Sequence, residues 1–325
     1  MNQNELPSFP SSVVIDASTI CQLKCAKCNF QRGNYEHLGR GFLKFENFKR
    51  FIDENSNIKR IELANYGEAL LNPEMIQILE HAHSKNVSIT MGHGVNFNTC
   101  QDELLEALVR FQVKSMTISL DGVTQDMYAK YRINGDYEQV INNIKKLNEF
   151  KRQHSSDYPR LRWQFIIMQH NEDGVIDAKK KAKELGMSIG FKLTWSKGYE
   201  PTPSKIEMLK RETGLESLTR KEANADKKTH FSNRLCKRLW AQPVINWDGR
   251  LLGCCCNPRM DFGVNVFESS LEYALNVESY KYAKEMLLGC ITPSEIPEHL
   301  HNKIPCIKCK MYRLMNEIGM SLRET

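Results

Sequence analysis

No apolar run in this 325-residue chain approaches the roughly 20 residues that a helix needs to cross a bilayer, so no membrane partner is expected. The first ten residues are polar and carry neither the basic nor the apolar region of a secretory signal, and the expected location is cytoplasmic. Internal repeats and low-complexity tracts are missing, which sets repeat architectures aside. The net charge of +6 does not come from a basic groove: no segment interleaves basic residues with aromatics on one surface. Basic residues alternate with acidic ones in helical stretches such as residues 177–184, which include Lys179, Lys180 and Lys181, and these read as solvated helix faces. Nucleic acid is therefore not an expected partner.

What the chain does have is a length and a 41% hydrophobic content sufficient for one large domain and a smaller one. It also has 11 cysteines. In a reducing compartment clustered thiols bind metal more often than they pair as disulfides. Three of them, Cys21, Cys25 and Cys28, follow a short apolar strand at residues 13–15. A [4Fe–4S] cluster is ordinarily held by four thiolates. Three thiolates from one tight loop hold three irons and leave the fourth open to a cofactor with its own amine and carboxylate. The spacing is too close for the paired knuckles of a zinc finger; three unrelated or zinc-binding thiols are the alternative.

Short β-rich runs alternate with helical patterns along the first two-thirds of the chain. Strands are expected at 13–15, 58–64, 87–91, 115–120, 161–168 and 188–193, with helices at 74–84, 102–111, 137–150 and 175–185, the last stopped by Gly186. Six such units imply an α/β fold, a parallel sheet with helices outside. Its ligand site belongs at the carboxyl ends of the strands, where the cysteine loop lies. Residues 196–235 change character, with Pro201, Pro203 and many charges, and read as a linker between a first domain (1–195) and a second module (236–325).

The Cys21, Cys25, Cys28 triplet resembles that of the radical S-adenosylmethionine (SAM) superfamily. The resemblance implies a partial (β/α)6 barrel, a [4Fe–4S] cluster whose open iron binds SAM, and reductive cleavage of SAM to a 5′-deoxyadenosyl radical. An electron donor such as flavodoxin or ferredoxin is implied as a partner. Gly67 and Glu68, in the run from Asn65 to Pro73, are similar to the superfamily's element for the SAM ammonium, with Asn65 and Tyr66 where glycines usually stand. The strand end with Ser119 and Asp121 would face SAM, and Arg132 would contact its carboxylate or ribose. Gln169 and Asn171, at the exit of the fifth strand, would also project toward it; the neighbouring His170 reads better as structural. Lys27 stands where many relatives carry an aromatic beside the adenine.

The second module carries Cys236, a run from Val244 to Cys256 whose Asp248-Gly249 pair signals a hairpin, and the pair Cys306 and Cys309. This pattern resembles the auxiliary-cluster region of SPASM or twitch proteins. A second [4Fe–4S] cluster on Cys236, Cys254, Cys306 and Cys309 is implied; zinc would accept the same four thiolates. Cys254, Cys255 and Cys256 cannot all serve one cubane, because alternate strand residues point to opposite faces. Cys255 or Cys256 is therefore a candidate hydrogen-atom donor to a substrate radical, or else a small buried residue. Cys100 and Cys290 receive no role.

The two-cluster plan most resembles enzymes acting on sugar or aminocyclitol carbons, such as 2-deoxy-scyllo-inosamine dehydrogenase and the aminoglycoside epimerases. Hydrogen abstraction from a small polar substrate, ending in dehydrogenation or epimerisation, is the first expectation. Modification of a ribosomally made peptide comes second, since the cysteine strand begins almost at residue 1 and an N-terminal peptide-recognition domain is not expected. A non-catalytic, zinc-stapled interaction protein would have to treat Gly67, Glu68 and residues 119–122 as coincidence.

Overall fold

Residues that face one another across neighbouring strands sort into a dry set and a wet set. On one face Met116 and Ile118 pair with Leu161 and Trp163, and Trp163, Phe165 and Ile167 pair with Ile189, Phe191 and Leu193. On the other, Thr117 and Ser119 pair with Arg162 and Gln164, and Arg162, Gln164 and Ile166 pair with Ser188, Gly190 and Lys192. Successive side chains on a strand point to opposite faces, so a period of two gives the sheet one apolar side for helices and one polar side.

A computed structural model of the chain describes residues 6–194, 197–219, 222, 236–254, 259–309 and 312–313. Seven strands form one sheet in the order β6-β5-β4-β3-β2-β1-β7: β1 Ser12–Ile15, β2 Arg60–Glu62, β3 Ser88–Val95, β4 Ser115–Ser119, β5 Arg160–Ile167, β6 Ser188–Leu193 and β7 Val244–Ile245. All six pairings are parallel. Helices α1 (Phe45–Glu54), α2 (Met75–Ser84), α3 (Asp102–Arg110), α4 (Gln125–Ala129), α5 (Tyr137–Gln153) and α6 (Val175–Glu184) fill the crossovers. The sheet is not closed on itself, in keeping with the expected partial barrel.

Local chemistry sets the helix ends. The Asp136 carboxylate accepts from Gln139 N at 2.9 Å and starts α5, whose Val140, Ile141, Ile144 and Leu147 are buried at helical spacing. Gly186, at φ +67°, ends α6 as the sequence predicts. Trp163, Tyr128, Tyr137 and Phe165 are fully buried in the same core as these helix stripes, each worth about 1.5–3 kcal/mol by the area it removes from water.

Two departures matter for the site. The third strand runs to Val95, beyond the expected residue 91, and its register with β4 shifts between Met91 and Val95, where Gly92 and Gly94 break the apolar pattern. The expected C-terminal ribbon also joins the main sheet. Its first arm is β7, paired parallel to β1 through Val14 and Val244, and the return arm is held to it antiparallel by Asn246 N donating to Arg250 O and Leu252 N to Val244 O, each at 2.9 Å, with a bridge between Ile245 and Leu251. The cause is apolar: Val244 and Leu252 are fully buried against Val14, Phe30 and Leu38. Among the described residues no helix is long and apolar enough to cross a membrane.

Candidate active site

The strand ends and the loops after them enclose a cavity of about 250 Å³. Of the residues expected at a site, Cys21, Cys25, Cys28, Gly67, Glu68, Ser119 and Arg132 line it. The cysteine loop is held by backbone pairing with the segment after α4: Lys24 N donates to Ile133 O at 2.9 Å and Ala26 N to Tyr131 O at 3.0 Å. That pairing carries Arg132 to the thiols. Its Nη1 lies 3.6 Å from Cys25 Sγ, while Nε and Nη2 donate to Asp121 Oδ2 at 2.8 and 2.7 Å.

Burial pushes the Cys21 thiol up to about 12, with the Glu68 carboxylate adding to it, and raises Cys25 against the pull of Arg132. Such thiols stay protonated until a cation displaces the proton. Glu68 is buried, and burial pushes its carboxyl up to about 7 even though Asn96 N and Leu70 N donate to it at 2.5 and 3.3 Å. Among the described residues, no three His, Cys, Asp or Glu side chains close around a single ion.

Several expected contacts turn out differently. Gly67 lines the cavity and also packs closely against backbone. A β-carbon there would lie 2.3 Å from Ser18 O and 2.8 Å from Ile20 O, so its close approach is to the backbone leading into the cysteine loop. Asp121 is fully buried, with Oδ1 accepting from Ile166 N at 2.8 Å; both oxygens are engaged by protein, and it positions Arg132. Asn171 is likewise committed, accepting from Met168 N and donating to Asp121 O and Ile166 O, and Gln169 is exposed; neither lines the cavity. His170 packs edge-on to Tyr199, at 6.2 Å and 84°. Lys27 sits over that same Tyr199 ring at 5.4 Å. Cys255 and Cys256 lie outside the described residues.

Cys236, Cys254, Cys306 and Cys309 converge on a second, apolar void with Leu239, Leu252 and Phe262. Tyr280, fully buried beside it, donates to Leu239 O at 2.7 Å, and its hydroxyl is raised by burial and then by the nearby Cys306, Cys254 and Cys236. Leu252, which lines this void, also belongs to the small cluster against which Cys28 packs.

Residues 15–172 match the Radical SAM superfamily family. The chain carries a radical SAM domain. Over 180 residues it is 23% identical to the probable GTP 3′,8-cyclase of Methanocaldococcus jannaschii, a match covering 54% of this chain and 56% of that protein, so the chain spans about half the length of this curated relative. In three dimensions it resembles Streptococcus suis SuiB bound to precursor peptide SuiA, with a TM-score of 0.65, 15% identity, and 98% of this chain and 75% of SuiB covered. It also resembles anSMEcpe with bound AdoMet, at TM-score 0.54 and 16% identity, covering 94% of this chain and 87% of the other. These structural likenesses carry the fold. A domain of this family implies a [4Fe–4S] cluster and SAM, and the donor set around the cavity fits both: three sulfurs, a buried carboxylate and a guanidinium.

Two further residues of this cavity escaped the sequence reading. Asn96 donates to Glu68 through its backbone, and its Nδ2 lies 3.6 Å from Cys21 Sγ. Gln164, in the cavity wall, keeps its Oε1 buried without a hydrogen-bond partner. Its signal was the alternation Arg162, Gln164, Ile166, which sets it on the wet face across from Ser119.

Proposed function

We propose that this radical SAM enzyme abstracts a hydrogen atom from a hydroxyl- or amine-bearing carbon of a small polar substrate, giving a dehydrogenated or epimerised product. The observation that carries this reading is the meeting of Cys21, Cys25 and Cys28 with Glu68 and Arg132 around one cavity. When bound there, the cluster and SAM would supply the 5′-deoxyadenosyl radical. Glu68 would accept from the SAM ammonium. Arg132 has five N–H groups, of which Asp121 and Cys25 engage three, leaving two for the SAM carboxylate or ribose. Asp121 fixes the direction in which they point, and Gln164 Oε1 offers an acceptor beside Ser119.

Cys236, Cys254, Cys306 and Cys309 would hold an auxiliary [4Fe–4S] cluster in a SPASM- or twitch-like module of residues 236–325, joined by the linker 196–235 to the domain of residues 1–195. Convergence of these cysteines on one void supports it. A flavodoxin or ferredoxin would supply the reducing electron. Cys255 and Cys256 stay the candidates for returning a hydrogen atom. A peptide substrate is the second reading, supported by the likeness to SuiB in complex with its precursor peptide.

The test is anaerobic incubation of the reconstituted enzyme with SAM and dithionite. Formation of 5′-deoxyadenosine, abolished in Cys25→Ala, is the expected result; none in the wild type contradicts the proposal. With a turned-over substrate, solvent deuterium at the reacting carbon marks epimerisation, and an unlabelled ketone marks dehydrogenation.

A further inference from the structure

Asn96 lines the cavity at the exit of β3, is buried, and holds its carboxamide in one orientation. Its Oδ1 accepts from the backbone N–H of Asn98 at 3.0 Å. A backbone N–H can only donate, so the oxygen faces Asn98 and the Nδ2 amide faces the other way. Gln22, in the cysteine loop, completes the lock. Its Nε2 donates to Asn96 Oδ1 at 3.0 Å and to Thr99 Oγ1 at 3.1 Å, and its Oε1 accepts from Asn96 Nδ2 at 3.2 Å. Asn98 braces the same turn from behind, donating through Nδ2 to Asn96 O at 3.1 Å and to the Tyr128 hydroxyl at 2.8 Å. Of the two Asn96 amide hydrogens, one serves Gln22 and the other is left for Cys21 Sγ, 3.6 Å from Nδ2. Cys28 is surrounded differently: it packs against the apolar cluster of Val14, Phe30, Leu38, Val244 and Leu252, and among the described residues no side chain donates to its sulfur.

We infer that Asn96 tunes the cluster of Cys21, Cys25 and Cys28: its side-chain N–H, aimed at Cys21 Sγ, raises the reduction potential and lets a weaker electron donor reduce the site. This rests on the proposed reading of the cavity as the place of a [4Fe–4S] cluster with SAM, and it gives a second task to a residue whose backbone already holds Glu68. Reduction passes one electron from the donor, the flavodoxin or ferredoxin proposed above, to the cluster; no bond is made or broken and Asn96 keeps its proton. The added charge falls partly on the thiolates, and burial alone disfavours it. A donor hydrogen already pointed at one sulfur offsets that cost, and hydrogen bonds to the sulfurs and solvent exposure are among the terms that set such potentials. Arg132 Nη1 stands in the same relation to Cys25 at 3.6 Å, but it is also proposed for SAM, which makes the Asn96 side chain the cleaner probe.

The test is a potentiometric titration of the reconstituted, SAM-free protein with dithionite, wild type against Asn96→Ala. It is followed in the EPR signal that a Cys21→Ala, Cys25→Ala, Cys28→Ala triple variant lacks. At the potential that half-reduces the wild type, the reduced-to-oxidised ratio in Asn96→Ala should fall about tenfold, a shift of about 59 mV to more negative values for one electron. A merely structural role would lower cluster content and leave the potential of the remaining clusters where it was. That result, or a shift to more positive values, overturns the inference. If Asn96→Ala takes up no cluster, wild-type protein carrying nitrogen-15 in its asparagine side-chain amides decides. Its reduced cluster should show a nitrogen-15 coupling in pulsed EPR, since the nearby Asn29 and Asn65 amides are turned to the Tyr35 hydroxyl at 3.1 Å and Asp16 Oδ2 at 3.3 Å. Absence of that coupling overturns the inference equally. A wild type that takes up no iron would instead remove the reading of the cavity, and the inference with it.

Discussion

Arg132 is gripped by the fully buried carboxylate of Asp121 through two nitrogens and still reaches Cys25 Sγ at 3.6 Å. The pair ties the end of β4 to the loop after α4 and, through it, to the cysteine loop. Removing one partner of a buried pair leaves an uncompensated charge. Asp121→Ala should therefore destabilise the apoprotein by about 3–5 kcal/mol in denaturant unfolding. Arg132→Lys, which keeps the charge but lacks the fork, should weaken SAM binding more than it lowers stability. An Asp121→Ala variant of wild-type stability would show that the pair is not what fixes the loop.

Glu68 gives a pH dependence with a definite sign. Its folded carboxyl titrates near 7 against an ordinary 4.5, so between those values the folded chain binds the proton that the unfolded chain has lost. Stability from this group is full below pH 4.5 and falls as pH rises through 7, by about 3 kcal/mol. An ammonium needs the ionised form, so SAM affinity should run the other way and rise roughly tenfold from pH 6 to pH 8. Glu68→Gln should flatten both profiles. Unchanged slopes in that variant would assign them to another group.

Gly67 makes a backbone claim that a single methyl group can check. Gly67 N donates to Ser18 O at 3.1 Å and Glu68 N to Ile20 O at 2.8 Å, which locks the turn after β2 onto the entry to the cysteine loop. Gly67→Ala would force backbone apart, because the nearest atoms, Ser18 O, Thr19 Cα and Ile20 O, all belong to the main chain and cannot swing away. The expected result is a loss of at least half the iron retained on reconstitution, together with a lower Tm. Full iron content at wild-type Tm would mean that the contact is not required.

The sheet was legible because its dry face alternates with a period of two and its helices carry apolar stripes such as Val140, Ile141, Ile144 and Leu147. The cysteine loop was legible from its spacing. Less was visible where function depends on pairing between distant segments. Asp121 reads like a ligand at a strand end, yet its partner Arg132 comes from a loop docked on the cysteines. Asn171 has the right position for a cavity residue but bends back to satisfy the backbone of Ile166 and Asp121. Gln164 looks like one polar residue in a strand until register sets it opposite Ser119. The extension of the sheet by Val244 and Ile245 could not be read from the Asp248-Gly249 turn, which specifies a hairpin but not what its first arm pairs with.

Iron and acid-labile sulfide per chain after anaerobic reconstitution, in the wild type and in a Cys21→Ala, Cys25→Ala, Cys28→Ala triple variant, bear most directly on a chain holding two clusters. About eight irons and eight sulfides per chain, falling to about four of each in the variant, is the predicted result. Zinc in place of iron, with no metal lost in the triple variant, would contradict it.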